Sequence, residues 1–289
     1  MSGGGLSRDE LQRLPAYRPI IDVHTHLFPE KMFRAIRRWF SQAGWHIQYP
    51  YETGEVVEML QGWGVQEHWA LTYAHKPGLA GELNRWMGDV QRKFQGVRGF
   101  ATLHPEDPSP EEDLLRALDE YGLCGIKLHA EVQKLAVDDP RLDGAFELLQ
   151  ERGLPCVLHA GDAPYPFPPP NLRHELVANR LARQPELKAV IAHLGAHQTG
   201  AFLELMERFS GLHLEVSFTR FDGYPELPEV DTESLRPFAE RILFGSDFPN
   251  ITFSYANQVD AWLQTDWVRE NPENFFRNNA RRLLPPAAI

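Results

Sequence analysis

Cysteine is almost missing from this chain. Its 289 residues include two, Cys124 and Cys156, and neither belongs to a CxxC pair. Two thiols make no disulfide framework, so a reducing cytoplasm is the expected location. Positive charge is also scarce: 29 Lys+Arg stand against 40 Asp+Glu, a formal net charge of −11. That balance argues against nucleic acid or an anionic membrane surface as a partner. It leaves room for a small anionic substrate, because a metal or a few arginines reverse the field locally. No apolar run is long enough to span a bilayer. The opening MSGGGLSRDELQRLP lacks the basic segment and apolar core of a secretory signal.

The hydrophobic content, 43%, is enough for a large core, and it is distributed rhythmically. Short apolar runs recur at 20–27, 65–74, 97–104, 123–130, 154–161, 187–195, 212–218 and 241–249. Segments with helical spacing lie between most of them: PEEDLLRALDEYG (110–122), LDGAFELLQERG (142–153), HELVANRLARQ (174–184) and GAFLELMERFSG (200–211). The first opens on acidic residues and closes on Gly122, as helices do. Alternating strand and helix implies a parallel sheet with helices outside it. Eight such units predict a (β/α)8 TIM barrel in a single domain, in preference to an open doubly wound sheet. Residues 1–18 are expected to be an N-terminal extension and 19–289 the barrel, with a helical insertion at about 28–64. PYPFPPPN (164–171) has too many prolines for helix or inner strand and reads as a stiff loop.

The strands carry polar residues where a buried strand has few. Side chains two apart in a strand share a face. Asp22, His24 and His26 therefore share one face of IIDVHTHL, and Ile21, Val23, Thr25 and Leu27 the other. In a barrel the apolar face meets the helices and the histidines point inward. Lys127 and His129 alternate with apolar neighbours in LCGIKLHA. His159, His193 and Asp247 stand near the ends of later strands. Barrel enzymes take their catalytic residues from the C-terminal ends of several strands. Histidines and an aspartate converging from separate strands form a metal-ligand inventory.

Taken together, the HxH of the first strand, GIKLH, VLHAG, VIAHLG and FGSDFP resemble the amidohydrolase superfamily. The likeness is greatest to its amidohydrolase-2 branch, which includes aminocarboxymuconate-semialdehyde decarboxylase and related hydrolases and decarboxylases. It runs from about residue 20 to 284 and takes in NNARRLL (278–284). The resemblance implies that His24, His26, His159 and Asp247 are metal ligands. It makes His193 a catalytic or substrate-polarising group in a one-metal enzyme, or a ligand of a second ion. Lys127 matches a lysine that some members carbamylate to bridge two metals. The favoured alternative for Lys127 is an ammonium that pairs with a carboxylate, inside the barrel or on the substrate.

Three imidazoles and a carboxylate suit a divalent metal, with zinc expected: one ion, or two if Lys127 is carbamylated. Such an ion activates a bound water, for which Asp247 is the expected base. The favoured activity is hydrolysis of a small amide, ester or lactone. Decarboxylation of a small unsaturated or aromatic carboxylate is the alternative, and a non-catalytic metal-binding protein the third reading. Lys127, Arg173 or Arg220 could hold an anionic substrate group; His129 and Gln133 could contact substrate. His75 and His104, at strand ends, read as structural groups. Trp39, Trp45, Tyr49 and Tyr51 of the insertion read as ordinary packing, with a cap over the site or a homodimer contact as alternatives. Cys124 and Cys156 are expected to face the helices. The expected partner is a small-molecule substrate.

Overall fold

The structure is a computed structural model that describes residues 6–161, 170–219 and 230–284. The eight apolar runs form eight parallel strands: β1 Ile20–His26, β2 Val65–Leu71, β3 Val97–Gly99, β4 Ile126–His129, β5 Cys156–His159, β6 Ala189–Ile191, β7 Leu212–Glu215 and β8 Ile242–Leu243. Each pairs with the next in chain order, as two arcs, β1–β3 and β4–β8. Two junctions close the cylinder. Ala101 bridges to Ile126 and accepts from Lys127 N at 2.8 Å. Thr25 bridges to Phe248, and His26 N donates to Phe248 O at 2.7 Å. The result is the expected TIM barrel.

The outer helices follow the sequence pattern. Pro110–Asp119 opens with proline and three acidic residues and buries Leu114, Ala117 and Leu118. Asp143–Arg152 buries Ala145, Phe146 and Leu149 and stops at Gly153, whose left-handed φ of 61° a side chain would resist. His174–Arg183 and Thr199–Arg208 complete the sector. The insertion after β1 forms two helices, Glu30–Gln42 and Thr53–Gly62. Arg37 ties the first to the barrel by donating to Ile47 O, Pro50 O and Pro249 O. Tyr49 packs between Trp63 and Phe248, and Tyr51 against Phe33; Trp45 lies against Phe218, and Trp39 is exposed. The N-terminal segment carries a short helix, Arg8–Gln12, capped by Ser7 and Glu10, and Arg13 bonds Asn257 and Asp260. No helix of the described residues is long and apolar enough to cross a membrane. PYPFPPPN lies almost wholly outside the described residues, as does Arg220.

Strand β1 departs from the expected alternation. Its pairing with β2 shifts register between Asp22 and Thr25. Such an irregularity reverses the faces of the residues beyond it. Ile21 and Val23, expected on the outer wall, instead join an interior cluster with Trp69, Leu71, Phe100, Val157, Val190 and Leu243. His24 and His26 also face the interior, one level higher. Asp22 points the other way: its Oδ2 accepts from the Tyr255 hydroxyl at 3.1 Å, and its Oδ1 from the backbone N–H groups of His24 and Ser246, each at 3.1 Å. Asp22 thus does not share the histidines' face. It ties β1 to the turn that carries Asp247, and burial pushes its carboxyl up to about 7 despite those donors. Cys156 packs in the outer core, and Cys124 Sγ donates to Gln91 Oε1 of the helix Ala80–Lys93 at 3.6 Å and accepts from Arg98 Nε at 3.4 Å.

Candidate metal centre

Above the apolar plug, the C-terminal strand ends bring the polar residues together. His24 Nδ1 lies 2.8 Å from Glu215 Oε1, and His26 Nδ1 lies 3.1 Å from Leu71 O. A carboxylate and a carbonyl accept, so both Nδ1 atoms donate and both Nε2 atoms keep a lone pair. Those two Nε2 atoms face each other at 3.2 Å. Asp247 Oδ1 stands 2.8 Å from His26 Nε2 and 3.3 Å from His24 Nε2. Two lone pairs and an anionic oxygen repel unless a cation lies among them. Atoms bound about 2.0–2.2 Å from one ion stand about 3.0 Å apart at right angles and about 3.4 Å apart at tetrahedral corners. The nest formed by His24, His26 and Asp247 therefore fits a divalent metal by donor chemistry and by spacing.

A closed hoop of rings runs from the nest's two histidines. Going round from His24 through His26, Tyr73, His129, His159 and His193 back to His24, successive centroids are 5.0, 5.8, 5.0, 3.9, 4.9 and 5.2 Å apart. Burial holds the imidazoles of His24, His129 and His159 well below their ordinary pKa, with the Lys127 ammonium adding to the effect. Lys127 is fully buried, with Nζ 3.5 Å from His24 Nε2. Burial pulls its ammonium down to about 8, against the pull of Asp247 and Glu215.

The backbone is strained where the site is built. Asp247 has φ 67° and Phe218 φ 58°. His193, Leu194 and Gly195 are all left-handed, and Ala196 also has positive φ. Such conformations in non-glycine residues cost about 1–3 kcal/mol each and concentrate at functional sites. Here they aim the His193 N–H at Glu215 Oε1, 2.8 Å away, and bring Asp247 N onto His24 O at 2.7 Å.

The amidohydrolase family profile matches residues 21–285. The chain belongs to the amidohydrolase family. Comparison with curated protein sequences finds no match. Among solved structures, an amidohydrolase II is 18% identical with a TM-score of 0.69, over 92% of this chain and 99% of that one. A 2,6-dihydroxybenzoate decarboxylase complexed with 2,6-dihydroxybenzoate is 16% identical, TM-score 0.66, over 92% of this chain and 99% of that one. A dihydroxybenzoic acid decarboxylase from Polaromonas sp. JS666, with bound manganese and 2-nitroresorcinol, is 16% identical, TM-score 0.65, over 92% and 97%.

The structure of this amidohydrolase brings His24, His26 and Asp247 into one nest and leaves His159 outside it. His159 Nδ1 instead lies 3.2 Å from His193 Nε2, and its ring stacks on His129. Gln133 is buried, and its amide accepts from His129 N at 2.7 Å and donates to Leu103 O at 2.7 Å. His104 is buried and accepts from Glu106 N, while His75 is exposed. Arg173 is exposed and pairs with Glu175. Sequence reasoning passed over Glu215, Ser217 and Tyr73. The signal for the first two was available: in LHLEVSF, His213, Glu215 and Ser217 alternate with Leu212, Leu214 and Val216, as lumen-facing residues should.

Proposed function

We propose that this amidohydrolase is a metal-dependent decarboxylase of a small aromatic or unsaturated carboxylate. The observation that carries the reading is Lys127. It is a fully buried ammonium with no carboxylate of the described residues at ion-pair distance; Asp247 and Glu215 act on it only from further off. A buried charge without a partner is costly. Its place within a hoop of flat rings suits a planar anion. The decarboxylases among the similar structures support this choice over hydrolysis, the activity favoured on sequence alone.

His24, His26 and Asp247 would hold the ion, with His159 proposed as the fourth ligand, and Lys127 would hold the substrate carboxylate. A bound divalent ion would supply a Lewis acid that orients and polarises the substrate's oxygen atoms. Zinc and manganese are both compatible with imidazole and carboxylate donors. One ion is proposed, because Glu215, His24 and His193 are already hydrogen-bonded to one another through Glu215 and Ser217. His193 is the proposed proton carrier: its Nε2 takes up a proton from solvent, the carbon–carboxylate bond breaks, carbon dioxide leaves, and that proton passes to the carbon.

The test is a panel of hydroxybenzoates and unsaturated diacids against a panel of esters, lactones and amides, with protein loaded separately with zinc and with manganese. Carbon dioxide release from a carboxylate, lost in Lys127→Met with metal content retained, is the expected result. Turnover of an ester, lactone or amide with no carbon dioxide would overturn the reading in favour of hydrolysis. Wild-type protein that takes up neither metal would remove its basis.

A further inference from the structure

We infer that Glu215, acting directly and through Ser217, is the positioning residue that fixes which ring nitrogen of His24, His193 and His159 carries the proton, and hence which nitrogens can face a metal ion. This deepens the metal-dependent reading above and rests on it for the consequence, though not for the hydrogen-bond order itself.

The order follows from groups that can act in one way only. Backbone N–H groups donate, so His193 N at 2.8 Å from Oε1 and Ser217 N at 2.7 Å from Oε2 mark both oxygens of Glu215 as acceptors. Ser217 Oγ lies 2.7 Å from Glu215 Oε1 and 2.7 Å from His193 Nδ1. The hydroxyl has one proton, which goes to the carboxylate, so Oγ accepts from His193 Nδ1–H. Ser217 O, 3.2 Å from the same Nδ1, can only accept and requires the same tautomer. His193 Nε2 is then bare, and His159 Nδ1, 3.2 Å away, must donate to it. That leaves His159 Nε2 bare as well. On the other side of Glu215, His24 Nδ1 donates to Oε1 at 2.8 Å and leaves His24 Nε2 bare in the nest. One carboxylate thus orders three imidazoles, two at the ends of β1 and β5 and one in the turn after β6.

The surroundings are built to keep Glu215 in place. A Cβ on Gly245 would stand 2.2 Å from Glu215 Oε2, so the glycine of FGSDFP makes room for the carboxylate. The left-handed backbone of His193 turns its N–H onto the same group. Four donors lie on its two oxygens, three of them on Oε1, which suits a holder of ligands.

The experiment is long-range 1H–15N correlation of histidine side chains in metal-free protein, with metal affinity measured separately by chelator competition. Wild type is expected to show His24, His193 and His159 as Nδ1–H tautomers; Nε2–H at any of the three overturns the inference, whatever the variants do. Glu215→Ala is expected to mix the His24 tautomers and to weaken zinc or manganese binding about 10- to 100-fold. Glu215→Gln, which keeps one acceptor oxygen, should fall between the two. A merely structural glutamate would lower Tm in Glu215→Ala while leaving the His24 tautomer and the metal affinity of the folded protein unchanged, and that result also overturns the proposal. Wild type that binds no metal would defeat the metal-dependent reading, yet its metal-free spectra would still decide the tautomer order.

Discussion

The lumen of this barrel has two levels built from the same strands, and they are made differently. The lower level is apolar: Ile21, Val23, Trp69, Leu71, Phe100, Val157, Val190 and Leu243 pack together. The upper level holds Lys127, Glu215, Asp247 and the hoop of imidazoles, with hydrogen bonds from Glu215 to His24 and His193 and between His159 and His193. Val157 is the register partner of Lys127, and Leu243 of Glu215, so plug and site meet between neighbouring strands. Backbone strain follows the same division: positive φ occurs at His193, Phe218 and Asp247, beside the upper level, and at no non-glycine residue of the plug. The plug's apolar burial can carry the fold while the upper level keeps costly geometry for chemistry.

The sharpest way to test that division is to remove chemistry without touching the plug. Asp247→Asn keeps the shape of the side chain, and asparagine accepts left-handed backbone readily. The variant loses the anionic oxygen between His24 and His26. Turnover is expected to fall about 100- to 10,000-fold, the usual worth of a positioned acid or base. Thermal unfolding should shift little. Kinetics and a melting curve on one preparation check both; a large drop in Tm would show that the upper level carries stability after all.

The converse change empties the plug. Trp69 is fully buried and stacks on Phe100, with centroids 4.9 Å apart. Trp69→Ala should cost about 3–5 kcal/mol of folding stability through lost burial and the cavity left behind. Metal uptake per folded molecule should be unchanged. Denaturant titration and elemental analysis measure the two quantities, and loss of metal at unchanged stability would mean that the levels are not separable.

How much of this was legible in the sequence depended on periodicity. The eight strands were readable because apolar runs recur at steady intervals, and the polar strand ends because Lys127, His129, His159 and Asp247 interrupt them. Reading faces by alternation failed in β1, because alternation assumes an unbroken pleat and the pairing shifts there. That shift misassigned Ile21, Val23 and Asp22. Glu215 was legible too, because its alternation in LHLEVSF turns it to the lumen of the predicted closed barrel. The left-handed run from His193 could not be read at all: VIAHLG has one glycine, and nothing in its composition marks His193, Leu194 and Ala196 for positive φ. Without that turn the sequence places His159 and His193 at parallel strand ends, and gives no hint that they bond each other before either reaches the nest.

The smallest test probes the seam behind the two levels, where Asp22 faces outward. Its Oδ1 takes two backbone donors, one from the Ser246 turn that leads to Asp247, and its Oδ2 takes the Tyr255 hydroxyl. Tyr255→Phe removes that one donor and nothing of the ring, which stacks on Trp63 with centroids 4.8 Å apart. The loss should be about 1 kcal/mol, the net value of one hydrogen bond, read from chemical denaturation. Metal affinity should stay the same, because the backbone donors still hold Asp22 Oδ1 against the turn. If affinity falls together with stability, the Ser246 turn depends on the outer shell of the barrel as well as on its lumen, and the site is held from both sides of β1.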